Sequence, residues 1–400
     1  MENELLEETG YVGDIPEGWK WVKLGDLVEI IKGKKPENLI ENPSKNTLPY
    51  LTAEYLRYKT PNQFVDIEKE KKLPVCEKDD IILIWDGSQA GQVFTGSKGI
   101  LASTMVKIIP NLDIVNKAYL YFFLTTKFEY LNTQTTGSAI PHVNKNAFLN
   151  LPIPLPPLPE QKAIAEVLSS IDDKIELLHR QNKTLEEMAM TLFRQWFIEP
   201  TKDGLPEGWE EVKIGDVLEV VLGGTPSTRI AEYWNGDIPW INSGEINNFR
   251  ITKATKYITV SVLRNSNTKL MPKGSTVLAI TGATLGKVSL LEIDTCANQS
   301  VIGIIPNDIF PKEYIYLWIK YKIDEIILNE TGGAQPHINQ NDVRNTVIIK
   351  PIKEYLNEKN QVLENIFLKI TNNVFQIQTL EKLRDTLLPK LMSGEVRVKF

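Results

Sequence analysis

The chain has 400 residues, 42% hydrophobic and 24% charged, which is room for two or three ordinary domains with real cores. A net charge of −6 excludes a generally basic nucleic-acid binder but leaves room for a local basic face. No apolar run approaches the roughly 20 residues of a bilayer span, and Cys76 and Cys296 are too few for a disulfide framework or a four-ligand zinc site.

The charge is unevenly spread. Residues 1–14 form an acidic N-terminal tail with five acids and no base; they lack the basic-then-apolar layout of a secretory signal, and a reducing cytoplasm is expected. Residues 15–150 carry 17 bases and 15 acids, and residues 205–345 carry 13 and 16. The body is therefore near neutral, so DNA binding would need clustered charges or a basic partner.

An internal repeat divides the rest. Ile15-Pro16-Glu17-Gly18-Trp19 recurs as Leu205-Pro206-Glu207-Gly208-Trp209, and Lys23-Leu24-Gly25-Asp26 as Lys213-Ile214-Gly215-Asp216. Pro141-His142-Val143-Asn144 recurs as Pro336-His337-Ile338-Asn339, with the offset grown from 190 to 195. A period this long means duplicated domains and not a solenoid.

In chain order, residues 15–155 read as an α/β (α+β) globular domain. Ile81–Trp85 and Leu101–Ile109 are strand-like runs, and Asn116–Tyr130 has helical texture. Residues 156–200 read as a long helix behind Pro156-Pro157-Leu158-Pro159, opened by Glu160-Gln161. Residues 201–350 repeat the α/β pattern, with strands at Thr276–Ile280 and Ser300–Ile305 and a helix over Lys312–Asn329. Residues 351–400 read as a second long helix and a tail.

In the first helix Ile164, Leu168, Ile171, Ile175, Leu178, Asn182, Leu185, Ala189, Leu192 and Trp196 alternate spacings of four and three, a coiled-coil seam. The second helix repeats it, more roughly, through Lys359, Leu363, Ile366, Ile370, Asn373, Ile377, Leu380, Arg384, Leu387 and Leu391. Asn182 is sixth of ten and Asn373 fifth of ten. End-to-end antiparallel pairing sets the two amides opposite each other, whereas parallel pairing leaves each against an apolar residue at about 1–3 kcal/mol apiece. The expectation is an antiparallel coiled coil with pseudo-two-fold symmetry, its register set by Asn182 and Asn373. A solvated asparagine at each place is the alternative.

Catalytic chemistry is hard to find. Neither G-x-G-x-x-G nor the P-loop pattern occurs, and no G-x-S-x-G. His142, His179 and His337 lack metal-ligand spacing, with His179 reading as a helix-surface residue. Asp66, Glu68 and Lys71 resemble part of a nuclease cluster, but such groupings are common in Lys/Glu-rich loops.

Three loops recur and can read a target. The first holds Lys32, Lys34 and Lys35 in copy one and Thr225, Ser227 and Arg229 in copy two, on glycine-rich backbone that lets N–H groups approach phosphate; an ordinary turn explains it as well. The second pairs Ser88 and Gln89 with Thr284 and Lys287. The third pairs Ser138 and His142 with Gln335 and His337; Gln335 suits a bidentate contact to adenine, and the histidines alternatively cap local structure with Asn144 and Asn339. Between the first two loops the copies diverge, with Arg57 and Lys59 in one and Asn242, Ser243 and Arg250 in the other. A duplicated frame around divergent inserts is what two modules with different targets require.

These residues resemble the specificity subunit of type I restriction-modification enzymes. The resemblance is carried by the paired P-E-G-W starts, by Gly223–Ser227 followed by Tyr233-Trp234-Asn235-Gly236-Asp237-Ile238-Pro239-Trp240, and by the two Pro-His-x-Asn segments. Leu155–Gln161 and Leu192-Phe193-Arg194-Gln195-Trp196-Phe197 add to it. It implies two target recognition domains that each read half of a bipartite DNA site, with helices that set the gap and dock two methyltransferase subunits. It also implies that S-adenosylmethionine, ATP and Mg belong to partner subunits, a restriction/translocase subunit among them, and that this chain is non-catalytic and binds no cofactor or metal. In copy two, Lys350-Pro351-Ile352-Lys353-Glu354-Tyr355 departs from the fuller P-P-L-x-E-Q run. The competing readings are a non-catalytic protein-binding scaffold and a self-contained nuclease or methyltransferase.

Overall fold

The computed structural model describes residues 15–137, 140–328 and 337–399, and the chain divides into two compact units. The first comprises residues up to Ile175 together with Thr379–Phe400; the second is Glu176–Gln378. The first long helix, Leu158–Phe193, begins in one unit and ends in the other, and so does the second, Lys353–Ser393.

In the first unit, strands Val28–Lys32, Met105–Pro110, Ile81–Ile84 and Val93–Phe94 form one antiparallel sheet in that order. A second sheet runs Phe64–Asp66, Thr47–Leu51, Gly99–Leu101, Val75–Cys76, its middle pair parallel. The aliphatic run Ile81–Ile84 is buried on both faces, which is why it reads as continuous rather than alternating hydrophobicity. The helical texture after Asn116 resolves into two pieces, Lys117–Thr125 and Phe128–Thr133. The first is capped by the Asn116 side chain accepting from the Tyr119 N–H.

The second unit repeats this plan with additions. One sheet runs Glu219–Leu222, Val301–Ile305, Thr276–Ala279, Val288–Leu291, Arg250–Ile251. The other runs Lys256–Ile258, Trp234–Ile241, Thr295–Ala297, Leu270–Met271, again with a parallel middle pair. A helix spans Lys312–Leu328.

Each module is closed by its own ends. Lys20–Lys23 pairs antiparallel with Pro152–Leu155, and Glu210–Lys213 with Val347–Lys350, so the last strand delivers the chain directly into a long helix. The duplication reaches single bonds: Tyr119 Oη donates to the Pro154 carbonyl at 2.5 Å and Tyr314 Oη to the Ile349 carbonyl at 2.7 Å.

The first turn of each long helix is held by the tryptophan of the repeated P-E-G-W. Trp19 Nε1 donates to buried Glu160 at 3.0 Å, and the Arg397 guanidinium grips the same carboxylate at 2.8 Å on each oxygen. Buried Gln161 accepts from the Asn116 N–H and donates to the Ile114 and Pro156 carbonyls. In copy two Trp209 packs on Tyr355 with ring centroids 5.4 Å apart. This explains how that helix starts without the fuller motif: an aromatic contact replaces the ionic one.

The seam residues Ile164, Leu168, Ile171, Ile175, Leu178, Asn182 and Ala189 are buried, as are Leu363, Ile366, Ile370, Asn373 and Ile377. Leu391 and Ile164, at the opposite limits of the two seams, are buried as expected, and the departures lie around Leu192, Trp196 and Lys359. Phe193 and Phe197 are buried in place of Leu192 and Trp196, both rings packed on Tyr314, and the helix widens into a π turn over Arg194–Ile198. Asn360 is buried in place of Lys359, whose Nζ sits 5.6 Å from the Trp196 ring centre.

Candidate nucleic-acid interface

In the first module the predicted loops converge on one face. Lys32 Nζ lies 2.7 Å from Asp86 Oδ2 and 6.0 Å from the centre of the Trp85 ring. The Gly87 N–H donates to the Pro141 carbonyl at 2.8 Å and the Val143 N–H to that of Trp85 at 2.9 Å, and His142 bridges backbone to both Asp86 and Thr136. Lys34, Lys35, Ser88 and Gln89 are exposed on this face. Arg57 reaches the same turn by donating twice to Gln92 Oε1, at 2.8 and 3.2 Å, and Lys59 Nζ donates to Ser97 Oγ at 2.7 Å. Lys59 itself adopts a left-handed φ of 55°, closing the helix Ala53–Tyr58. Of the pair His142 and Asn144, the asparagine is the cap, accepting from the Asn146 and Ala147 N–H groups, while the exposed imidazole lies 3.5 Å from the Ile140 carbonyl. Ser138 lies outside the described residues.

The second module brings its loops together in the same manner. The Ile338 N–H donates to the Ile280 carbonyl at 3.0 Å, which sets exposed His337 beside the Thr281–Gly286 turn, and Asn339 is a helix cap with Asp342 completing the box. Ser243–Asn247 packs against Gly282–Thr284, and Lys287 is exposed just beyond that turn. Thr225 donates to Gln299 Oε1, and Ser227 and Arg229 are exposed. Partly exposed Asn242 caps Ser243–Asn247 through its Oδ1, with Glu245 completing the box. Gln335 and residues 329–336 around it lie outside the described residues.

Arg250 requires correction. Its side chain has no exposure, stacked among Phe249, Tyr316 and Phe367, so it is not presented to DNA. The glycines of the opening loops also meet a packing requirement. A Cβ on Gly33 would lie 1.9 Å from the Ala102 carbonyl oxygen, and one on Gly223 2.1 Å from that of Asn298. Both glycines exist because the opening loop crosses the strand-end backbone at contact distance, which positions the neighbouring Lys34 and Thr225.

The family model described as "Type I restriction modification DNA specificity domain" matches residues 16–187 and again 206–382. The chain belongs to this family. It is similar to the type I restriction enzyme MjaVIII specificity subunit of Methanocaldococcus jannaschii, 32% identical over 96% of this chain and 94% of that one. The MjaIX specificity subunit of the same organism is 29% identical over 100% and 98%. In fold it resembles the crystal structure of the type I restriction-modification S subunit from M. genitalium, with a TM-score of 0.61, 16% identity, and coverage of 96% of this chain and 98% of that one.

Within this specificity-domain chain the structure adds residues that sequence reading missed. A recess of about 850 Å³ opens beside Gly223–Thr225, lined also by Asn267, Lys269, Gln299 and Gln340. Its amides and ammonium suit base edges and phosphate, and they come from three separate segments. A second recess, of about 460 Å³, is lined by Trp234, Lys256 and Tyr257, where Lys256 Nζ stands 5.7 Å from the Trp234 ring centre. The only signal in sequence was the Y-W-N-G-D-I-P-W run itself. The thiols of Cys76 and Cys296 are pushed up to about 12 by burial, which makes neither a nucleophile at neutral pH. Among the described residues no group of three His, Cys, Asp or Glu side chains is placed to hold a metal ion.

Proposed function

We propose that this chain is the DNA-sequence-reading subunit of a type I restriction-modification complex. Each α/β module reads one half of a bipartite site, through Lys32–Lys35, Arg57, Lys59 and the Ser88-Gln89 turn in the first, and through Thr225–Arg229, Thr284, Lys287 and the Gln299 recess in the second. The observation that carries this reading is the convergence of three separate loops onto one face of each module of a chain that belongs to the specificity-domain family.

The long helices act as spacer and as platform for two methyltransferase subunits, which bind S-adenosylmethionine and carry the chemistry; a restriction subunit using ATP and Mg joins them. The helices pair as an antiparallel coiled coil with approximate two-fold symmetry. Supporting this, contacts run in opposite chain sense within each unit: Asn182 against Asn373 and Trp196 against Tyr355 in one, Glu160 against Arg397 and Asp172 against Arg384 in the other. The near-neutral modules fit a subunit whose partners supply part of the phosphate neutralisation.

The test is selection from random duplexes with the methyltransferase subunits present. A split motif with a fixed gap is expected. Enrichment of nothing, or methylation by the purified chain alone, refutes the reading.

A further inference from the structure

Arg250 lies on the short strand Arg250–Ile251 at the edge of the second module's larger sheet. Its Nη1 donates to the Phe249 carbonyl at 2.8 Å and to Tyr316 Oη at 3.2 Å, and stands 3.9 Å from Glu186 Oε1. Three rings surround the guanidinium carbon: Phe249 at 4.2 Å, Tyr316 at 4.7 Å and Phe367 at 5.2 Å from their centres. Nε and Nη2 have no hydrogen-bond partner. Glu186 also accepts from the Tyr316 hydroxyl and pairs with Lys320 Nζ at 3.1 Å. Phe249 and Tyr316 belong to the module, Glu186 to the first long helix, and Phe367 to the second. One side chain therefore touches all three bodies that meet in this unit.

A buried ion pair is a poor way to gain stability, since apolar residues of similar volume often do as well. It does impose direction. A planar guanidinium held between rings and a carboxylate fits in one orientation, whereas an apolar contact tolerates sliding. The equivalent seat in the first unit is wired differently. There Arg384 Nη1 donates to Asp172 Oδ1 at 3.0 Å, both residues on long helices, beside half-buried Tyr121, the repeat counterpart of Tyr316. At the same offset of 195, Asp172 corresponds to Phe367 and Arg384 to Ala189. At the second seat the helices lack that ion pair, and the module brings a cation of its own. Two further bonds fasten the same edge to the second helix: Thr371 Oγ1 donates to Glu292 at 2.7 Å, and Gln378 Nε2 to Thr252.

We infer that Arg250 is a positioning residue that keys the second module to a single seat on the long helices, and thereby fixes how its reading face is presented to DNA. This rests on the specificity-subunit reading. It makes the spacing between half-sites depend on a residue that touches no DNA, and it makes the module dependent on Glu186 and Phe367 for its seat.

The experiment selects bound duplexes, with methyltransferase subunits present, from a library in which the gap between half-sites varies. Wild type, Arg250→Met, Arg250→Lys and Glu186→Gln are compared. Wild type enriches one gap length. Arg250→Met and Glu186→Gln keep both half-site sequences while the preference for that gap falls by about tenfold or more, and Arg250→Lys is intermediate. Glu186→Gln conserves every volume in the seat, so it reports on the key even where Arg250→Met folds poorly. A Glu186→Gln complex that enriches the same single gap as sharply as wild type overturns the inference, as does any change in the second half-site's bases. Failure of wild type itself to enrich a split site instead indicts the functional reading.

Discussion

Asn373 Nδ2 donates to Asn182 Oδ1 at 2.9 Å, and both residues are buried, at 1% and 3% exposure. Asn373 Oδ1 is left without a hydrogen-bond partner. A polar pair in an otherwise apolar seam contributes little net stability but penalises any register that separates its members.

Replacing one member tests this. Asn182→Ala strands the Asn373 amide and costs about 1–3 kcal/mol, whereas the double change Asn182→Leu with Asn373→Leu is neutral or stabilising. Urea unfolding monitored by circular dichroism reads both. Equal losses from the single and double variants contradict the pairing.

The crowded glycines give a second prediction. Gly33→Ala and Gly223→Ala each drive a methyl group into a carbonyl oxygen and cost about 1–3 kcal/mol or more. Gly87→Ala meets no atom within 4 Å, and its cost comes only from a φ of 114°. Thermal melts of the three variants should separate the packing cost from the conformational one.

The exposed lysines give a third. Lys34→Ala and Lys35→Ala should each weaken DNA binding across all sequences and reduce the slope of log affinity against log salt by about 1. Lys32→Ala should do less, because Asp86 already neutralises that ammonium. Filter binding over a salt series measures the slopes; unchanged slopes remove these lysines from the interface.

A fourth concerns pH. Burial holds the Glu313 carboxyl above the ordinary glutamate range, against the opposing pull of its backbone hydrogen bond, Lys312 and Asn360. A carboxyl whose folded-state pKa is raised takes up protons on folding, so stability is lost as pH rises from the unfolded value through the folded one. Glu313→Gln should therefore match wild type in acid and be the more stable protein at neutral pH. Parallel denaturation curves at both pH values decide it; a variant less stable at neutral pH contradicts the sign.

Much of this was legible before folding. The two copies of P-E-G-W announced the duplication and the four-three spacing announced the seam; that each tryptophan meets the first turn of a long helix is seen only in the fold. The end of the first helix's seam was not legible, because Phe193 and Phe197 take the burial expected of Leu192 and Trp196 by packing on Tyr314, a residue far along the chain. Arg250 misled because a basic residue in a divergent segment looks like a DNA contact. Its burial depends on Phe367 and Glu186, far away in the chain. The Gln299 recess escaped for the same reason: its lining comes from segments that only the folded sheets bring side by side.

The central claim is that one chain reads two unlike half-sites through two separate faces. Exchanging residues 205–345 for the matching module of another family member, then selecting duplexes with methyltransferase present, tests it directly. The second half-site should change while the first stays as it was; a change in both, or in neither, contradicts the account.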